Sequence, residues 1–139
     1  MRLVVGITGA TGTVIGVRIL QALRALDVET HLVISRWGRA TLENETDLKA
    51  ADVQALAGRA YASHDQFAEI SSGSFPTDGM VIAPPVPAFY NRPATVEDII
   101  THIVVRVLDQ FGLDVPEARR WAGRVPREPV APPAAPGDP

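Results

Sequence analysis

The segment Gly6-Ile-Thr-Gly9-Ala-Thr-Gly12-Thr-Val-Ile-Gly16 constrains this chain more than any other. It joins an apolar run over 3–8, Leu-Val-Val-Gly-Ile-Thr, to a stretch over 13–26 in which Val14, Val17, Ile19, Leu20, Leu23 and Leu26 recur at helical spacing. An apolar run that ends in glycines reads as a buried parallel strand, and the periodic stretch reads as an amphipathic helix. Residues 28–34, Val-Glu-Thr-His-Leu-Val-Ile, then read as a second strand. Strand, helix and strand within about 30 residues have the length of a βαβ unit. The expected fold class is therefore α/β, a Rossmann- or flavodoxin-like parallel sheet. Glycines at such a turn let the backbone approach a phosphate. The helix start behind them offers N–H groups and a positive dipole end, and Thr8, Thr11 and Thr13 add hydroxyl donors. A phosphate-bearing ligand is the reading this context favours over a merely structural turn.

Composition bounds the rest. The chain has 139 residues, a single domain's worth, and at 46% hydrophobic it can bury a core. A net charge of -3 gives no general pull toward nucleic acid or anionic membrane. No run is long and apolar enough to suggest a membrane span, and the first residues do not resemble a secretory signal, so the cytoplasm is the expected compartment. There is no cysteine, and His31, His64 and His102 lack metal-ligand spacing, so no metal is expected and each histidine reads as a satisfied or exposed side chain.

Further along, residues 37–45 and 49–60 read as helices, 64–78 as mostly loop, and Gly79–Ala83 as a strand broken by Pro84, Pro85 and Pro87. Residues 95–112 carry the strongest helix signal. Thr95 caps it, Asp98 completes a capping box, and Gly112 stops it. A short helical piece is expected over 116–122, and the Pro/Ala-rich residues 123–139 read as an extended, disordered tail beyond a domain of 1–122.

Four more places can carry chemistry. Ser35-Arg36 ends the second strand, on the side where open α/β sheets bind ligands; Ser35 can bond a ligand hydroxyl or phosphate, or simply cap the next helix. Glu45, in Glu-Thr-Asp (45–47), can relay a proton or mark a solvated helix end. Ser71-Ser72-Gly73-Ser74-Phe75 suits an anion-binding nest or a flexible loop. The stiff Pro84–Pro93 loop can hold Tyr90 in place, and Arg106 on the next helix either forms a phosphate clamp with it or snorkels at the surface.

Seven motifs in order resemble the UbiX-type flavin prenyltransferases: Gly-Ile-Thr-Gly-Ala-Thr-Gly (6–12), Leu-Val-Ile-Ser (32–35), Glu-Thr-Asp (45–47), Ser-Ser-Gly-Ser-Phe (71–75), Gly-Met-Val-Ile-Ala-Pro (79–84), Pro-Pro-Val-Pro-Ala-Phe-Tyr (84–90) and Arg-Val-Leu-Asp-Gln (106–110). The Pro-Pro-Val-Pro-Ala-Phe-Tyr segment is highly specific; the Gly-rich loop is not. The resemblance implies an enzyme that joins reduced FMN to dimethylallyl phosphate and supplies a UbiD-type decarboxylase with prenylated FMN. It implies a homo-oligomer and no metal. Gly9, Ala10, Thr11 and Ser35 would contact FMN. Glu45 would accept a proton, Thr11 and Ser74 would complete the catalytic set with Ser74 in its loop over the allyl phosphate site, and Tyr90 and Arg106 would hold the dimethylallyl phosphate.

The chain also departs from that family. Ala83-Pro84 runs straight into Pro85-Val86-Pro87, where the family has a Cys-Ser loop, an arginine on the flavin and a second strand resembling the first. About two βα units, each roughly 30 residues or less, are absent. The expected fold is thus a three-layer α/β/α sandwich truncated at its centre. Two alternatives are a non-catalytic FMN-binding remnant and a small NAD(P)-binding Rossmann domain. Against the latter, neither Tyr61 nor Tyr90 has a lysine four residues on, and no substrate half is present.

Overall fold

The structure, a computed structural model, describes residues 1–82, 86–89 and 92–115. Strand β1 (Arg2–Ile7) leads through the glycine turn into helix α1 (Thr13–Ala25), then strand β2 (Glu29–Ile34) and helices α2 (Arg36–Glu45) and α3 (Ala50–Gln54). Strand β3 (Arg59–Ala62) follows, then a 3-10 turn at Glu69–Ser71, strand β4 (Gly79–Val81) and helix α4 (Val96–Asp109). The four strands form one parallel sheet in the order β3-β2-β1-β4.

Alternation along the strands separates two faces. Leu3, Val5 and Ile7 of β1 share a face with Leu32 and Ile34 of β2 and with Val81 of β4, and all of them join one buried cluster. Val17, Leu20 and Leu23 of α1, Leu42 of α2, Val53 of α3, and Val104 and Leu108 of α4 complete it. The helices thus form a single layer over this face.

The opposite face carries Val4, His31, Tyr61 and Met80, and is covered differently. His31 is buried to 1% exposure, with Nδ1 2.7 Å from the Tyr61 hydroxyl and Nε2 2.9 Å from Glu29 Oε1. Tyr61 donates to Glu69 at 2.7 Å, Arg59 pairs with the same carboxylate, and Phe75 meets the His31 ring edge-on. This polar knot fastens the 63–78 segment to the sheet and satisfies a buried imidazole, as the sequence reading expects of that histidine. Beyond the knot the face is partly bare: Met80 of the edge strand is 53% and Ile82, just past its end, 58% exposed. Among the described residues no helix lies there, so two of the three layers expected of an α/β/α sandwich are seen.

Two expectations need correction. Residues 59–60 close no helix; they open β3, and the helix at 49–60 ends at Gln54. Strand β3 was illegible because Arg-Ala-Tyr-Ala is short and mostly exposed, so it lacks an apolar run. In α4 the stripe is wider and starts later: Ile100, Ile103, Val104, Val107, Leu108 and, past the helix end, Phe111 face the core as expected, but Val96 is exposed and His102 and Val105 are buried as well. The capping box holds, with Asp98 N–H donating to Thr95 Oγ1 at 3.1 Å and Thr95 N–H to Asp98 Oδ2 at 2.9 Å. Gly112 takes a φ of 68° just past the helix end. The readings at 83–85, Tyr90, 116–122 and the tail lie outside the described residues, and so does the domain boundary at 122. Among the described residues no helix is long and apolar enough to cross a membrane.

Candidate active site at the ends of β1 and β2

Helix α1 begins without a cap of its own. Its N-cap residue is Gly12, which has no side chain and sits at a φ of 91°. An N-terminus in that condition leaves amides without partners. The partner comes from the other end of α2. Glu45 Oε2 accepts from Gly12 N–H at 3.0 Å, from Thr13 N–H at 3.1 Å and from the Thr13 hydroxyl at 3.0 Å. Glu45 Oε1 accepts from the Thr11 hydroxyl at 2.6 Å and, at 3.3 Å, shares the Gly12 amide. The Thr11 hydroxyl, more than any other group, holds the Glu45 carboxyl below its ordinary value of 4.5; desolvation opposes it as the next largest effect, and the Thr13 hydroxyl and the two amides add to the lowering.

The junction is held from a second side. Ser35 caps α2, accepting from Gly38 N–H at 2.9 Å, while its own amide donates to the Ile7 carbonyl at 3.0 Å. Thr41 Oγ1 donates to the Gly9 carbonyl at 3.3 Å. A Cβ on Gly38 would lie 2.6 Å from the Ile7 oxygen, and one on Gly9 would lie 2.5 Å from Trp37 Cβ. Both glycines are therefore required by close approach, and α2 is pressed against the end of β1. Thr8, Gly9, Ala10 and Thr11 remain exposed at the rim, next to a cleft whose floor is Ile15, Val81 and Ile103.

These placements sort the candidate residues. Gly9, Ala10, Thr11, Ser35 and Glu45 come together where β1 and β2 end. The expectation that the start of α1 offers free amides is corrected for Gly12 and Thr13, whose amides are taken by Glu45. Ser35 is a cap, as one of its two readings had it, and its hydroxyl proton remains available to a ligand. Ser74 is not brought here. It bonds Ser72 Oγ at 2.8 Å and precedes Phe75, which packs on His31 and under Arg2, near where β1 and β2 begin. Arg106 is exposed on α4, one turn beyond His102, whose pKa is lowered by burial and by the Arg106 charge. Tyr90 lies outside the described residues, so the clamp of Tyr90 with Arg106 is untouched by this geometry. Among the described residues no group of three His, Cys, Asp or Glu side chains could hold a metal ion.

Sequence reasoning missed Thr13 as a partner of Glu45, and the bond of Thr41 to the glycine loop. A glycine at an N-cap position does signal that the cap must come from elsewhere. Local pattern cannot say from where, because Glu45 is 32 residues away from Thr13.

No family model matches the chain. A probable UbiX-like flavin prenyltransferase from Streptomyces sp. (strain D7) is 43% identical over 185 residues, covering 88% of this chain and 92% of its own. The chain belongs to the UbiX-like flavin prenyltransferases. The matched stretch is longer than this chain's 139 residues, so the relative carries residues with no counterpart here. Two solved structures agree in fold. A dodecameric FMN-dependent UbiX-like decarboxylase from Escherichia coli O157:H7 matches with a TM-score of 0.82 at 40% identity, over 88% of this chain and 100% of that one. AnUbiX in complex with FMN and dimethylallyl pyrophosphate matches with a TM-score of 0.83 at 34% identity, over 89% and 98%. Membership of this family decides against the NAD(P)-binding alternative.

Proposed function

We propose that the chain is a flavin prenyltransferase. It joins the dimethylallyl group of dimethylallyl phosphate to reduced FMN and passes prenylated FMN to a UbiD-type decarboxylase in the cytoplasm. The observation that carries this reading is the ionised Glu45 bound to the Thr11 hydroxyl at the rim of the glycine turn, in a chain of this family. The rim suits FMN: Gly9 brings bare backbone to the surface, and Thr11 and Ser35 flank it with hydroxyls. Gly9, Ala10, Thr11 and Ser35 would hold the flavin, which when bound supplies the nucleophile. Glu45 accepts a proton through Oε1. Arg106 and Tyr90 hold the allyl phosphate and stabilise the charge that gathers on it as the allylic C–O bond breaks. Ser74 lies at the opposite end of the strands from Glu45, so its part over the allyl phosphate requires a second copy of the chain. A homo-oligomer therefore belongs to the reading.

One observation favours the second reading, a remnant that binds FMN without catalysis: the residues of the relatives that have no counterpart here. Incubation with reduced FMN and either dimethylallyl phosphate or the pyrophosphate, followed by mass measurement of the flavin, separates the two. Prenylated flavin is expected with the monophosphate. Bound but unmodified flavin would establish the remnant, and absence of flavin binding would end both readings.

A further inference from the structure

We propose that Thr13 is a positioning residue for Glu45, saturating Oε2 so that Oε1 is left as the oxygen that takes the proton. This rests on the reading of Glu45 as the proton acceptor. The two carboxylate oxygens are bonded unequally. Oε2 receives three donors at 3.0 to 3.1 Å, two of them from Thr13. A carboxylate oxygen offers about two lone-pair sites, so Oε2 has no capacity for another partner. Oε1 has one short bond, from Thr11, and a long shared one from Gly12. Thr13 is only 3% exposed and its hydroxyl bonds Glu45, so it cannot turn to solvent and release Oε2. The ion pairs recorded among the described residues do not include Glu45, so hydrogen bonds rather than a cation set its orientation.

Shape alone does not explain the residue. Valine has the same outline and would keep the amide bond, but it lacks the donor. The test follows the Glu45 side-chain carboxyl of the full chain by carbon-detected NMR through an acid titration. In Thr13→Val the midpoint is expected to rise, and Thr13→Ser should return it toward the parent value. Thr13→Ala stands in should the valine variant not fold. Thr41→Val removes a hydroxyl from the same junction that bonds Gly9 rather than Glu45, and should leave the midpoint in place. An unmoved midpoint in Thr13→Val with only a lower Tm overturns the proposal, as does an equal shift in Thr41→Val. In prenyl transfer, Thr13→Val should lower kcat roughly tenfold with KM for FMN little changed, the acid limb of the pH profile moving up with the midpoint. A midpoint that moves while the profile stays shows that Thr13 holds the carboxylate but overturns the reading of Glu45 as the proton acceptor, and with it the assignment of Oε1.

Discussion

At the scale of single residues, the molecule turns on one carboxylate doing a helix cap's work from a distance. Gly12 gives α1 the left-handed residue its tight turn needs, and so gives up a side-chain cap; Glu45 restores it. Because the folded carboxyl titrates below its ordinary 4.5, the folded chain binds fewer protons than the unfolded one between those two values. Stability contributed by Glu45 is therefore complete above the unfolded pKa and is lost as pH falls through the folded one. Glu29 and Glu69 are lowered in the same direction, Glu29 chiefly by His31 and Glu69 chiefly by the Tyr61 hydroxyl, and add to the acid sensitivity. Glu45→Gln should thus be less stable than the parent at neutral pH and should lose less on acidification. Chemical denaturation at a series of pH values checks this; parallel curves for the two proteins would mean that Glu45 is not linked to folding.

At the scale of elements, what positions the site is the seating of α2 on the end of β1, and the seat has no room for a methyl group. Gly38→Ala sets a Cβ against a backbone oxygen rather than a yielding side chain. Its expected cost is about 1–3 kcal/mol, with flavin affinity falling as Ser35 and Glu45 shift together. Equilibrium unfolding and flavin fluorescence measure the two effects. Much of this arrangement was legible in the sequence. The apolar runs gave β1, β2 and β4, the 3.6 period gave α1 and α4, and Thr95 with Asp98 fixed the start of α4. The glycine loop, Ser35 and Glu45 fell at strand or helix ends and were drawn together by the parallel topology. What escaped was whatever depends on packing at long range. The strand character of Arg59–Ala62 comes from pairing with β2, not from its own residues. Thr13 meets Glu45 only because α2 lies against α1. Ser74 belongs to the family's pattern but not to the Glu45 end of this sheet.

At the scale of the whole molecule, the sheet has one face under helices and one face partly bare. Met80 on the edge strand and Ile82 just past its end present apolar surface beside an edge that pairs with no further strand among the described residues, a combination that invites association. The protein should bind the dye anilinonaphthalene sulfonate while fully folded, and should self-associate more at higher salt. Paired Met80→Lys and Ile82→Lys changes should reduce both with little loss of Tm; light scattering and dye fluorescence read the outcome, and unchanged association in the double variant would place the sticky surface elsewhere. The strand order has a further effect on the growing polypeptide. β1 leaves the ribosome first yet ends in the middle of the sheet, and while β2 reaches it from register partners such as Leu3 and Thr30, β4 arrives only with Gly79. Until Gly79 is made the nascent sheet is therefore half-zipped, its first strand holding one flank open for a mate not yet translated, and a stall or slow stretch of translation before Gly79 would leave that flank to chaperones or to aggregation.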